Sequence, residues 1–277
     1  MTDQEYAFLR NTIHTLTNLD INCYKSQQMR RRLDAYIVKK GNLTVPSFCH
    51  NLEKSPEKQE ELLDYLAINV SEFFRDTNKF TTLQTQILPQ LLSANRNLNI
   101  WSAACSCGQE PYSIAMVLEE INSGHNHRIL ATDIDQSALF QAKNGGPYLN
   151  LDVKNIPRGL LEKYLSKREN DYWVIDKIRK KVSFQCHNLL NDAFEGNFDL
   201  IVCRNVIIYF SDVVRNDLFK KFHNSLKDGG ILFLGGSEVV LRPTDQGFSM
   251  LNPALYRKLA GCPGTVKPMG YLSEVLG

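Results

Sequence analysis

Two acidic residues, each at an edge of an apolar run, are the first side chains in this 277-residue sequence whose type and spacing can do chemistry. Glu110 opens the segment "EPYSIAMVLEEIN", directly after "IWSAACSCGQ", and Asp133 closes "RILATD", 25 residues after Gly108. Strand, tight turn, helix is the arrangement that holds phosphate in nucleotide-binding proteins. Those proteins use G-x-G-x-x-G, or a lysine followed by Ser or Thr, so that phosphate meets bare backbone at a helix N-terminus. Both signatures are missing here: the turn has one glycine, Gly108, and no lysine. Glu110 at the helix start suits the helix dipole but repels phosphate, and so favours a ligand with positive charge, an amino group or a sulfonium. An acid at the end of the next strand can accept hydrogen bonds from ribose hydroxyls. Taken singly, Glu110 is equally a helix-end charge and Asp133 a strand-end cap. Taken together and in this order, they describe a nucleoside with a cationic amino-acid tail and no phosphate, which is S-adenosylmethionine.

The elements that must position these acids follow from periodicity. "LNIWSAA", "RILATDID", "KVSFQCHNLL", "FDLIVCRNVIIYF" and "ILFLGGSE" read as buried strands, and "FSMLNPALYRKL" supplies the last strand material. Between them "EPYSIAMVLEEIN", "QSALFQAKN" and "DVVRNDLFKKFHNSLKDGG" read as helices, the last with a Gly stop. Strands alternating with helices predict an α/β fold with a mostly parallel sheet covered on both faces. The excursion at about 146–181 is too long for a simple crossover and predicts a small inserted subdomain, with "DYWVIDKIRKKVSF" as its hairpin. Residues 1–68 show helical spacing only, with a break at Ser55-Pro56, and predict a small all-α domain. Residues 69–97 form the linker and 98–277 the sheet domain.

Composition excludes some classes. No apolar run approaches the roughly 20 residues of a membrane-spanning helix, and the acidic start of the chain is no signal peptide. Seven cysteines in such a chain imply reduced thiols and a cytoplasmic location. Cys105-x-Cys107 is poorly spaced for zinc, so no metal is expected. The net charge of +2 is uninformative, but residues 21–45 place Lys25, Arg30, Arg31, Arg32, Lys39 and Lys40 against one acid, Asp34. That stretch is either a solvated helix face or a docking surface for an acidic partner. Six clustered charges without interleaved aromatics do not suggest nucleic acid.

Further segments occur in a fixed order: "NVSEFFRD" (69–76), "AACSCGQEPYSIAM", "ATDID", "HNLL" (187–190), "FDLIVCRNVIIYF" and "GGSE" (235–238). With them the sequence resembles the chemotaxis receptor methyltransferases of the CheR type over nearly its whole length. The resemblance implies a class I S-adenosylmethionine-dependent methyltransferase, Rossmann-like, with a small all-α N-terminal domain and a small inserted β-subdomain. It implies methylation of glutamate carboxylates on the cytoplasmic helices of chemoreceptors, with S-adenosylhomocysteine as the other product. By the same resemblance Asn69, Ser71 and Arg75 would line the cofactor site from the linker. Glu110 would take the amino end and Asp133 the ribose. Asn188 and Leu189 would flank the adenine, Arg204 and Asn205 would sit near the methionine part, and Arg75 and Tyr209 would face the transferring methyl. The sequence departs from the family pattern at Ser71 (often Thr), Cys105 and Cys107 (often Ala and Thr), Gln109 (commonly Glu) and Gly236 (frequently His). In this family the insert can hold a receptor's C-terminal peptide by strand addition. The insert here has no Gly-x-Gly turn, so we expect no dependence on such a tether, and a monomer.

A carboxylate acceptor is already ionised at neutral pH, since glutamate titrates near about 4.3. No general base is then required, and the sequence offers no convincing Ser-His-Asp or Cys-His set. Cys186 and His187 read as strand neighbours pointing to opposite faces. The competing readings are a methyltransferase for a small molecule or nucleic acid, a non-catalytic cofactor sensor, and a nicotinamide oxidoreductase, which the missing glycines disfavour.

Overall fold

Thr2 starts the first helix by accepting the Glu5 N–H at 3.2 Å while the Glu5 carboxylate accepts the Thr2 N–H at 2.6 Å, a reciprocal cap. The computed structural model that shows this describes residues 1–41, 43–66, 71–121 and 124–261. Helices α1 (Asp3–Thr17), α2 (Ser26–Lys39), α3 (Val45–Glu53) and α4 (Pro56–Leu66) bury Leu9, Ile13, Leu33, Phe48, Leu52 and Leu62 in a core of their own. The linker is helical too: α5 (Thr77–Thr82), a π-turn (Leu83–Ile87) and α6 (Leu88–Ala94) run on without a break. Their apolar residues Phe80, Leu83, Ile87 and Leu88 join the second, larger core, so this segment packs with the sheet.

That core surrounds a seven-stranded sheet built from β1 (Asn99–Ala103), β2 (Arg128–Asp133), β5 (Val182–Cys186), β6 (Phe198–Cys203), β7 (Leu226–Leu234), β8 (Phe248–Asn252) and β9 (Leu255–Lys258). The order is β5-β2-β1-β6-β7-β9-β8, parallel except for the β8–β9 hairpin, whose β9 runs antiparallel to β7. Helices α7 (Gln109–Ile121), α8 (Gln136–Asn144) and α12 (Asp212–Ser225) make the crossovers. The strand order reverses at β1, between β2 and β6, and ligands bind such sheets at the carboxyl ends of the strands beside that switch point.

Three expectations need correction. The strand in "FDLIVCRNVIIYF" stops at Cys203. Asn205 turns the chain at φ 61°, and Ile207–Tyr209 is a 3₁₀ turn. The helix α12 ends at Ser225 because Leu226 turns extended to pair with Phe198, so Gly229-Gly230 is no helix stop but lies within β7, where the register shifts against β6. In the insert the hairpin lies further upstream, β3 (Leu165–Arg168) with β4 (Asp171–Val174), and "DKIR" is a short helix, α11 (Asp176–Arg179). The insert also holds α9 (Asn150–Val153) and α10 (Arg158–Tyr164), and so is more helical than its sequence suggests.

The insert is riveted to the far end of α7. Glu119, with a side chain only 4% exposed, meets Lys177 at 2.7 Å and Lys181 at 2.8 Å. Glu120 meets Lys163 at 2.6 Å and the Tyr164 hydroxyl.

Candidate functional site

The loop Ala104–Gly108 after β1 is held tightly enough to force two non-glycine residues into the left-handed region, Ala104 at φ 63° and Ser106 at φ 50°, beside Gly108 at φ 87°. A side chain at 108 would press on Ala142, Phe184 and Tyr112 at 3.0–3.2 Å, so Gly108 serves both conformation and space. The Cys105 N–H bonds the Thr132 carbonyl at 2.9 Å, and the Ser106 N–H bonds Asp133 Oδ2 at 2.7 Å. The Asp135 N–H bonds Asp133 Oδ1 at 3.0 Å. Asp133 is thereby fixed at the lip of β2, with burial pushing its carboxyl above the usual range.

Glu110, in the first turn of α7, accepts the Ser102 hydroxyl at 2.8 Å and faces Arg204 at 3.5 Å. Its side chain is 12% exposed, and burial raises its carboxyl while Arg204 and Ser102 oppose the rise. Arg204 is itself sealed between the rings of Phe233 (4.8 Å) and Phe80 (5.6 Å). Its guanidinium donates to the Asp76 carboxylate at 2.7 Å and to the Arg75 carbonyl at 3.0 Å. Arg204 thus ties the linker to α7.

The same cleft, about 1260 Å³ including its open mouth, is lined by every other predicted cofactor or catalytic residue except Asn69, which lies outside the described residues. Ser71 and Arg75 come from the linker, Asn188 and Leu189 from the turn after β5, and Asn205 and Tyr209 from the segment after β6. The Asn188 turn is self-bonded: its N–H reaches Asp192 at 2.8 Å and its side-chain oxygen accepts the Leu190 N–H at 2.9 Å. His187 lines the cleft as well, its ring parallel to Trp101 at 5.6 Å. Cys186 ends β5 on the exposed side.

The basic stretch of α2 does not form one face. Lys25 and Arg32 line the cleft. Arg30 pairs with Asp3 at 2.6 Å and Lys40 with Glu61 at 2.5 Å, while Lys39 sits 5.8 Å over the Tyr65 ring. Arg31 is exposed.

Sequence reasoning missed two contributors. Glu238, 3% exposed, accepts the N–H groups of Asn205 (2.8 Å), Ile207 (2.8 Å) and Gly235 (2.6 Å), and so shapes the turn that carries Asn205 and Tyr209. It ends the "GGSE" motif, which was its only signal. Tyr24, from the turn before α2, also lines the cleft, and no pattern in the sequence marks it. Two departures from the family pattern gain a local setting. Gln109 is buried with its side-chain oxygen unpartnered among the described residues, and a side chain at Gly236 would run into the Lys79 ammonium at 2.6 Å. Among the described residues no cluster of three or more His, Cys, Asp or Glu can hold a metal, and no helix is long and apolar enough to cross a membrane.

Chemically, the cleft joins the acids Glu110 and Asp133 with the bases Lys25, Arg32, Arg75 and Arg204. The acids suit a ligand with a diol and a cationic tail, and Asn205, whose side-chain oxygen has no partner among the described residues, lines the same cleft. Lys25, Arg32 and Arg75 add positive charge that suits an anionic second substrate, with Arg32 also donating to the Tyr65 and Leu66 carbonyls.

Comparison with known proteins gives the family. The family model described as "CheR methyltransferase, SAM binding domain" matches residues 69–255, and "CheR methyltransferase, all-alpha domain" matches residues 4–67. A chemotaxis protein methyltransferase of Listeria monocytogenes is 38% identical over 257 residues, 92% of this chain and 98% of the relative. One from Borreliella burgdorferi is 35% identical over 273 residues, covering 93% and 95%. Chemotaxis protein methyltransferase 1 of Pseudomonas aeruginosa is 41% identical over 196 residues, covering 66% and 70%. The chain belongs to the CheR family of S-adenosylmethionine-dependent chemotaxis methyltransferases.

Proposed function

We propose that this protein moves the methyl group of S-adenosylmethionine onto glutamate side-chain carboxylates in the cytoplasmic helices of chemoreceptors, as a protein-glutamate O-methyltransferase. The observation that carries the reading is that one cleft joins two acids, Glu110 and Asp133, with the bases Lys25, Arg32 and Arg75. An acidic helix presenting a glutamate suits the bases, and a sulfonium nucleoside suits the acids.

In this reading Glu110 holds the amino end of the cofactor and Asp133 its ribose. Asn188 and Leu189 flank the adenine, Ser71 approaches from the linker, and Asn205 backs the methionine part. Arg204 acts through Glu110 and the Arg75 carbonyl, as a positioning residue. Bound S-adenosylmethionine supplies a methyl group on a sulfonium that leaves as a neutral thioether. The protein's task is alignment and exclusion of water. Arg75 presents a planar fork that neutralises and orients the acceptor carboxylate, and Tyr209 offers a hydroxyl beside it. No proton need be removed. The histidine in the cleft wall, His187, is stacked on Trp101 with its pKa lowered by burial, which suits an aromatic wall.

The test is incubation with methyl-labelled S-adenosylmethionine and a chemoreceptor cytoplasmic fragment, comparing Glu sites with Gln substitutions. Label that requires Glu and leaves as methanol in base supports the reading. S-adenosylhomocysteine binding without label on several receptor fragments refutes the acceptor assignment and favours another substrate.

A further inference from the structure

The helical domain reaches the cleft through one short segment. Cys23, Tyr24 and Lys25 lie antiparallel to Tyr209, Phe210 and Ser211: the Lys25 N–H donates to the Tyr209 carbonyl at 2.8 Å, and the Ser211 N–H donates to the Cys23 carbonyl at 2.9 Å. Between these two bonds Tyr24 faces Phe210, with ring centroids 5.1 Å apart and planes tilted by 58°. Tyr24 packs against both hydrophobic cores, that of the helical domain and that of the sheet. Its ring is therefore held from both sides.

The hydroxyl is a different matter. Tyr24 lines the same cleft as Asp133, yet its hydroxyl makes no hydrogen bond to any described residue. The hydroxyl is not sealed in protein but open to the cleft, where a ligand can meet it. Burial, then the charges of Cys23, Asp133 and Asp20, push the phenol up to about 12, so it keeps its proton and can donate. Asp133 and Tyr24 line one cleft, so one ligand can meet both.

We propose that Tyr24 is the helical domain's own contribution to the cofactor site: its ring roofs the cleft from Phe210, and its hydroxyl bonds a ribose hydroxyl of the S-adenosylmethionine held by Asp133. The proposal rests on the reading that Asp133 takes the ribose. It gives the all-α domain a second role besides meeting the acceptor, because the segment that carries Tyr24 also fixes the backbone of Tyr209.

The experiment measures calorimetric binding of S-adenosylhomocysteine, and of its 2′-deoxy and 3′-deoxy analogues, to the full chain. Wild type is compared with Tyr24→Phe, which keeps the ring and its packing, and with Asp133→Asn as the reference. Circular dichroism and the thermal midpoint check that Tyr24→Phe is folded as wild type. The expected result is a loss of about 3- to 10-fold in affinity for Tyr24→Phe, the size of one ordinary hydrogen bond. That loss should disappear against one of the two deoxy analogues. Unchanged affinity in Tyr24→Phe, with Asp133→Asn weakened, overturns the proposal and leaves the cofactor reading standing. A loss that persists equally against both analogues overturns the ribose contact. Unchanged affinity in Asp133→Asn overturns the cofactor reading and the proposal with it.

Discussion

Replacing Arg204 with lysine should move the pH at which the cofactor is lost. Arg204 opposes the burial that raises the Glu110 carboxyl, and it does so through a planar fork whose other arm holds Asp76 at 2.7 Å and the Arg75 carbonyl at 3.0 Å. A lysine keeps the charge but cannot span these partners at once. Glu110 then loses part of its compensation, and its carboxyl rises further. In the proposed reading the ionised form binds the cofactor's amino group, so affinity should fall as pH drops through the Glu110 pKa. In Arg204→Lys that fall begins at a higher pH. A charge-assisted hydrogen bond contributes about 1.5–3 kcal/mol, so full protonation of Glu110 costs about 10- to 150-fold in affinity. Stability falls less than the 3–5 kcal/mol typical of a broken buried pair, because Asp76 is 41% exposed and Glu110 lies 3.5 Å away. We expect about 1–2 kcal/mol for the lysine variant. The assay is titration with S-adenosylhomocysteine between pH 5.5 and 8.5, beside denaturant unfolding. Superimposable pH profiles for variant and wild type would refute the argument that Arg204 works through Glu110.

Arg75→Ala should abolish methyl transfer far more than it weakens S-adenosylhomocysteine binding; equal losses in labelled transfer and in calorimetric affinity would remove its role in positioning the acceptor. Gly108→Ala must adopt φ 87° and press on neighbours at 3.0–3.2 Å, so chemical denaturation should show a loss of about 1–3 kcal/mol. Glu119→Gln breaks both lysine contacts of a nearly buried carboxylate while Lys177 and Lys181 can turn to solvent; a loss of about 1–3 kcal/mol, with faster amide exchange in α11 than in β6, is the expected result. His223, 1% exposed and with its pKa lowered by burial, favours the neutral ring in the folded state. Its native pKa lies below the unfolded value of about 6.5, so the unfolded chain takes up the proton first and stability declines as pH falls below that value. The gap in unfolding free energy between wild type and His223→Gln should therefore narrow from pH 7.5 to 5.5.

The sheet and its helices were legible because their signals are local. "QSALFQAKN" spans α8 without error, with Asp135 accepting the Ala138 N–H and Gly145 closing it in the left-handed region. Glu110 and Asp133 could be placed because a strand end followed by a helix start fixes position without any long-range knowledge. What escaped depends on distant partners. Leu226 reads as the continuation of a helix until β6 offers it a strand to pair with. "DYWVIDKIRKK" has enough apolar residues for two strands, and only β3, already paired to β4, leaves the second half to coil as α11. The basic run of α2 reads as one surface, but Asp3 and Glu61, contributed by other helices, take Arg30 and Lys40 away from it. Tyr24 could not be read at all, since its partner Phe210 lies in the other domain.

The rivets between α7 and the insert bear on how such a chain can diversify. Four contacts to Glu119 and Glu120 fix the root of the insert through Lys163, Tyr164, Lys177 and Lys181. The tip of the hairpin, from Lys167 to Asn170, is exposed and contributes to none of them. Substitutions at that tip can accumulate without a penalty transmitted to the helix that carries Glu110. The fold thus separates a segment free to drift from one that chemistry must conserve, and new attachments can be tried at the first while the second keeps working.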